Sequence, residues 1–302
     1  MSIPRRPGPV LVGVNDEPSS DLALRWAIAD ARTLGVPVRA VNVFSGSART
    51  SEPRYRDIPD ADLEEPEPVA EQLIATIIDR AREIDPEVGV EGETIEGRPS
   101  QVLVQEASFA TELVLGSRQL TALRSAVLGS VGVAVAGRTE CPMIAVRGPA
   151  GLREEDASVV VGVDATDAAQ NVLAVGFDHA SRHEVSLRPV LCWHPDLLAT
   201  MKWRPSPPAP ERADEWLSEA LAGWREQYPD VTVHPEVIRD HPVAGLVLAS
   251  SAQYLLVVGT TGHNALPGAL LGSVSQGVLH HATCPVAIVP TDVSTDVSTD
   301  VS

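Results

Sequence analysis

The chain has 302 residues, 44% of them hydrophobic, which is enough apolar material for two cores of ordinary size. A formal net charge of −18 repels a nucleic-acid backbone, and no apolar run approaches the roughly 18–20 residues that span a bilayer, so neither nucleic acid nor membrane is an expected partner. The opening MSIPRRPGP lacks the apolar stretch of a secretory signal, and three cysteines are too few for a disulfide framework, so the expectation is a cytoplasmic protein with reduced thiols.

In chain order, the apolar run Val10–Val14 reads as a first strand and ends on Asn15. Residues 19–34 read as a helix with Leu22, Trp26, Ala27 and Leu34 on one face, and Val38–Phe44 reads as a second strand. A loop rich in Pro, Arg and Glu runs from residue 45 to about residue 66. The second helix carries Leu73, Ile74, Ile77, Ile78, Ala81 and Ile84 at i, i+4 spacing, and residues 88–95 alternate as a third strand. Gly97-Arg98-Pro99 opens a third helix, because proline is tolerated in a first turn. A fourth strand at 113–115 ends on Gly116, a fourth helix lies within 127–138, and Met143–Val146 is the fifth strand. Five strands alternating with four helices predict an open parallel α/β layer.

The series then repeats. Gly116, Gly129, Cys141 and Pro142 recur 143 residues later as Gly259, Gly272, Cys284 and Pro285. Asn15 recurs as Asp164, 149 residues on, so the first copy holds six extra residues, assigned to the loop after residue 45. The expected units are 1–150 and 156–290, joined by the Gly/Pro and charged run around GPAGLREED. A polar tail at 291–302, TDVS three times over, is expected to be disordered.

One stretch of the second copy carries chemistry. The apolar residues 255–258 end on Gly259, and Gly262, Gly272 and Ser273 follow as Gly-x2-Gly-x9-Gly-Ser. Val274, Val278, Leu279 and Ala282 then recur at helical spacing. A strand, a glycine loop and a helix start with a Ser cap bring unpaired N–H groups and the positive end of a helix dipole together, which suits an anion. The plainer alternative is a tight turn and helix cap with no ligand. The only lysine is Lys202, so no Walker-type Gly-Lys-Ser/Thr exists, and a phosphate here must be held by backbone, hydroxyls, arginine or a metal.

These residues resemble a tandem universal stress protein. The resemblance rests on VVVGVD, on the Gly-x2-Gly-x9-Gly-Ser loop and on LLGSVSQGVLHHATCPVAIV, and it covers nearly the whole chain outside the tail. It implies two Rossmann-like open parallel sheets of strand order 3-2-1-4-5 that associate through the fifth strand. It also implies ATP or ADP as ligand, with Mg²⁺ offsetting the triphosphate charge and no metal held by protein side chains. On that basis Asp164 contacts the adenosine, Cys192 offers strand-two backbone to the adenine, Gly259, Gly262, Gly272, Ser273 and Ser275 face the phosphates, and Gly162, Val163, Val258 and Val274 also line the nucleotide site. Asp164 also has an ordinary reading, as a strand-end Asp capping the next turn. The first-half counterparts are Asn15, Val43, Gly116, Gly129 and Ser130. That half departs from the pattern at Asn15, at Gln119 and at Gly132, which stand where the second half has Asp164, Gly262 and Ser275. Asp16, Arg118 and Arg124 are possible compensations, and the first half is expected to bind nucleotide weakly or not at all.

Other constellations are read as structural. His280, His281 and Cys284 lack a second spaced pair of metal ligands, and adjacent helical residues point about 100° apart. Cys141 and Cys284 read as small buried hydrophobes. No Gly-x-Ser-x-Gly follows a strand, which removes the nucleophile elbow. The fifth strands, MIAV and VAIV, would leave apolar sheet edges unless they are paired, and pairing within the chain answers that. Trp216 and Trp203 lie off the core face of Leu217, Leu221, Trp224 and Tyr228 and are candidates to meet a regulatory partner. The expected role is a nucleotide-binding stress-response regulator and not an enzyme. The alternatives are a slow ATPase or autophosphorylating protein, with Ser273 or Ser275 as acceptor, and a nucleotide-free interaction scaffold.

Overall fold

The computed structural model describes residues 8–45, 66–119, 126–127, 129–147, 157–164, 169–193, 212–260 and 271–291. The loop after residue 45, Arg124, the linker, Trp203, Gly262 and residues 292–302 of the tail lie outside them. The first half runs β1 (Val10–Val14), α1 (Ser19–Leu34), β2 (Val38–Phe44), α2 (Pro66–Ile84), β3 (Val90–Glu96), α3 (Pro99–Ala107) and β4 (Glu112–Gly116). It continues with the short β5 (Arg118–Gln119) and β6 (Ala126–Val127), then α4 (Ser130–Ala136) and β7 (Met143–Val146). The second half runs β8 (Ser158–Val163), α5 (Ala169–Arg182), β9 (Ser186–Cys192), α6 (Ala213–Gln227) and β10 (Glu236–Ile238). It ends with α7 (Pro242–Ala249), β11 (Leu255–Gly259), α8 (Ser273–His281) and β12 (Val286–Val289).

Ten strands form one sheet in the order β10-β9-β8-β11-β12-β7-β4-β1-β2-β3. Within each half the order is third, second, first, fourth, fifth and every pairing is parallel, the doubly wound α/β arrangement that the alternation and the resemblance predict. The halves join at β7 and β12, which pair antiparallel with Ile144 opposite Ala287 and Met143 opposite Ile288. All four residues of each fifth strand are buried, so MIAV and VAIV cover one another inside a single chain.

Two apolar layers sandwich this sheet, and both run through both halves. On one face α1, α2, α5 and α6 bury Trp26, Ile74, Phe177 and Leu217. On the other, α3, α4, α7 and α8 bury Leu103, Val135, Leu246 and Val278. Trp216 packs half-buried against the first layer rather than standing free on the surface. The first helix and second strand have the bounds that their periodicity predicts. Elsewhere the differences have physical causes. β4 begins one residue early, at Glu112, a buried carboxyl that hydropathy assigns to solvent. Ala126 and Val127 pair with Arg118 and Gln119, and α4 occupies Ser130–Ala136, inside the 127–138 range expected for the fourth helix.

The antiparallel seam also explains Arg147. It follows the carboxyl end of β7, which lies beside the amino end of β12, where α8 terminates. The Arg147 side chain is buried, and Nη1 donates to Leu279 O at 2.9 Å and to Ala282 O at 3.0 Å. A cation at a helix C-terminus is favoured by the dipole and by the unpaired carbonyls. Burial pushes the guanidinium down to about 10, which leaves it charged at neutral pH. Arg147→Ala is expected to lower stability by about 2–4 kcal/mol through two lost charge-assisted bonds and a cavity, read from urea denaturation monitored by circular dichroism.

Candidate functional site

In an open parallel sheet the ligand crevice lies beyond the carboxyl ends of the strands, where the strand order reverses. In the second half that point is between β8 and β11. Asp164 follows β8 directly and is half-buried, Cys192 ends β9, and Gly259 ends β11. The start of α8 stands over the same end of the sheet. These elements gather most of the sequence-predicted residues at one edge.

What each residue offers differs. Val163 and Val258 turn their side chains into the two cores, so only their main chain reaches the crevice. At Gly162 a Cβ would come within 2.9 Å of Leu246 Cδ1 and 3.1 Å of Val258 Cγ1, so this glycine lets α7 pack closely on the sheet. The Cys192 thiol is pushed up to about 12, chiefly by burial and then by Asp240 and Glu236, and stays protonated. It donates a long contact of 3.9 Å to Pro242 O, leaving the strand-end backbone as what Cys192 can offer a ligand.

The glycine loop is fastened at both ends. Thr260 N donates to Val289 O at 2.8 Å, and Gly272 N donates to Thr260 O at 2.7 Å. Ser275 is buried, and its Oγ donates to Gly259 O at 2.6 Å, with Thr260 O at 3.2 Å. That hydroxyl ties the first turn of α8 to the tip of β11. The expected Ser cap is corrected here. Gly272 is the N-cap, extended at φ −71° and ψ 160°, while Ser273 is already helical and exposed. The first intrahelical bond is Gln276 N to Gly272 O at 3.0 Å. The N–H groups of Ser273, Val274 and Ser275 therefore precede any intrahelical acceptor. They form the donor end of the dipole beside the strand tips.

The first half arranges the same elements differently. Asn15 Oδ1 accepts from Ser20 Oγ at 2.7 Å and from Glu17 N at 3.2 Å, while Asn15 N donates to Ser20 Oγ at 2.9 Å. The side chain that stands where the second half has Asp164 thus closes the turn into α1. At Gly116 a Cβ would lie 2.2 Å from Ser19 O, so the start of α1 presses onto the tip of β4. Val43 is half-buried in β2, beside Asn42, whose Nδ2 donates to Val14 O at 2.8 Å. Gly129 caps α4, Ser130 is exposed, and Gly132 is buried where Ser275 stands in the other half. Gln119 sits in β5, paired with Ala126, and Asp16 is exposed.

Sequence reasoning missed Thr260, whose Oγ1 meets Thr291 Oγ1 at 2.9 Å and accepts from Thr291 N at 3.1 Å. Its position directly after the strand-end Gly259 was the available signal. His280 and His281 are exposed while Cys284 is buried, so those three do not converge. No helix of the described residues is long and apolar enough to cross a membrane.

The model of the universal stress protein family matches residues 8–147 and again 157–290. A universal stress protein of Mycobacterium tuberculosis strain H37Rv is 33% identical over 293 residues, covering 95% of this chain and 99% of the relative. A second from the same strain is 29% identical over 284 residues, covering 92% and 95%. These relatives are named for the family and not for a reaction. Among solved structures, a universal stress protein from Archaeoglobus fulgidus shares the fold at a TM-score of 0.72 and 16% identity, over 94% of this chain and 98% of that one. With both halves matched and the doubled sheet in place, the chain belongs to the universal stress protein family, as a tandem of two such units.

Proposed function

We propose that this protein is an ATP-binding stress-response regulator whose nucleotide is held in the second half. The carrying observation is the fastened start of α8. Thr260, Gly272 and Ser275 fix that end against the tip of β11, so the first-turn N–H groups sit ready for an anion without reorganisation. In this reading Asp164 accepts from the ribose and the strand-end backbone at Cys192 meets the adenine. Gly259, Gly262, Gly272, Ser273 and Ser275 hold the phosphates, and Gly162, Val163, Val258 and Val274 also border the nucleotide. The segment from Gly259 to Ser273 contains no lysine or arginine, so Mg²⁺ bound to the phosphates would supply the missing positive charge.

The first half supports the reading by contrast. Asn15 is engaged by Ser20, and the start of α1 lies on Gly116. The units of the reading are 1–150 and 156–290, with the tail 291–302 outside both. Regulation then means that adenylate occupancy of one crevice biases what a cytoplasmic partner recognises. The slow-phosphotransfer alternative narrows to Ser273, because Ser275 Oγ is buried against two carbonyls.

Calorimetry on the full chain with Mg-ATP is expected to give one site per chain. Asp164→Ala is expected to weaken it by about tenfold to a hundredfold through a lost charged hydrogen bond. Two equal sites, or mass analysis finding no adenylate bound at millimolar supply, would count against the reading. Ser275→Ala is expected to lower stability by about 1–2 kcal/mol even without nucleotide, because Gly259 O loses the Ser275 hydroxyl that ties α8 to β11; urea denaturation of the apo protein checks this.

A further inference from the structure

Away from both crevices, the halves meet in a buried polar cluster. Asp30 of α1 is 1% exposed, and it faces His179 of α5 and His183 just beyond that helix, at 2% and 6%. His183 Nε2 lies 2.5 Å from Asp30 Oδ1, and His179 Nδ1 lies 3.8 Å from the same oxygen. On the other side of the His179 ring, Nε2 lies 3.7 Å from Glu112 Oε2, at the start of β4. Arg182 Nη1 donates to Asp30 Oδ1 at 2.6 Å and to Thr33 Oγ1 at 2.7 Å. Asp30 Oδ2 is buried and has no hydrogen-bond partner among the described residues. Tyr254 stacks on Trp26 at 5.1 Å and lies 5.1 Å from the His183 ring, closing the apolar side.

We propose that Asp30, His179 and His183 form a binding site for a divalent transition-metal ion, Zn²⁺ by its donor chemistry, which ties the two halves together. Two imidazoles and one carboxylate are donors that zinc takes readily, with a fourth position left for water. The histidines are four residues apart at the end of one helix, so they share a face, and their rings stack at 5.9 Å with planes 12° apart. The three donor atoms lie within 4.8 Å of one another. A tetrahedral zinc site has edges of roughly 3.3 Å, so loading needs side-chain adjustment and no rearrangement of the fold. Glu112 stands where a metal-binding histidine needs an outer carboxylate, orienting His179 so that Nδ1 turns to the ion.

Arg182 can keep Asp30 Oδ1 while the buried Oδ2 turns to the metal. For Nε2 of His183 to bind the ion, the ring takes the tautomer with its proton on Nδ1. Arg182, with its side chain 11% exposed, marks the way in from the surface.

The test uses the full, untagged chain, stripped with chelator and titrated with Zn²⁺ in a calorimeter. One ion per chain is expected, with a rise in Tm that chelator reverses. Glu112→Gln is expected to bind about 10–100-fold more weakly, and His179→Gln and His183→Gln more weakly still. No uptake by the wild type, or unchanged one-to-one uptake in both folded histidine variants, overturns the proposal. Should the variants not fold, anomalous diffraction at the zinc edge from wild-type crystals decides. A peak between Asp30, His179 and His183 supports the site, and peaks only at exposed histidines such as His280 and His281 overturn it.

Discussion

The antiparallel pairing of β7 with β12 is the constraint from which the rest of the architecture follows. Each half alone would end in a strand whose four residues are apolar on both faces and whose outer edge is unpaired. Joining the two edges removes that liability and fuses the two apolar layers across the seam. It also reverses direction. Every other pairing in the large sheet is parallel, so the carboxyl ends of the first-half strands and those of the second-half strands point to opposite edges. The two switch points therefore open away from each other, four strand steps or about 19 Å apart along the sheet.

That separation gives the asymmetry of the halves a physical meaning. Neither end can complete the other, so each half's strand-end geometry is set by its own residues. In the first half, Asn15 and Ser20 close the turn into α1, and the start of α1 lies against Gly116. The second half keeps a half-buried Asp164, with α8 held at the right height by Ser275. The residue that stands for Ser275 in the first half, Gly132, carries no hydroxyl to make such a tie.

Much of this was legible in the sequence, for definable reasons. The amphipathic period of residues 19–34 and the apolar run Val38–Phe44 mark their elements without tertiary help, and the 143-residue recurrence marks the duplication. Strand order is a family expectation, which the parallel pairings bear out. What escaped was whatever depends on a distant partner. Glu112 looked like solvent because a buried carboxyl is invisible to hydropathy. Ser273 looked like the cap because serine favours that position, whereas Gly272 holds the extended backbone that a cap requires. Asp30 and His183 are 153 residues apart, and nothing in the local pattern of either announces the other.

The placement of polar groups at the seam bears on how one half could sense the other. The apolar faces of β7 and β12 offer a joint without specificity, since a sliding pair of such strands would bury similar area in a neighbouring register. Arg147 on one face and the Asp30 cluster on the other each demand a single alignment. Arg147 must meet the last carbonyls of α8, and Asp30 must meet Arg182 and His183 together. A misregistered seam would leave a buried guanidinium or carboxylate uncompensated, a cost of several kcal/mol. The same rigidity means that α8, whose first turn borders the second crevice, has its far end held by a residue of the first half. The helix is thus fixed at its start by Ser275 and at its end by Arg147. In this fold a single helix links the carboxyl-end edge of the second half's strands to a residue of the first half.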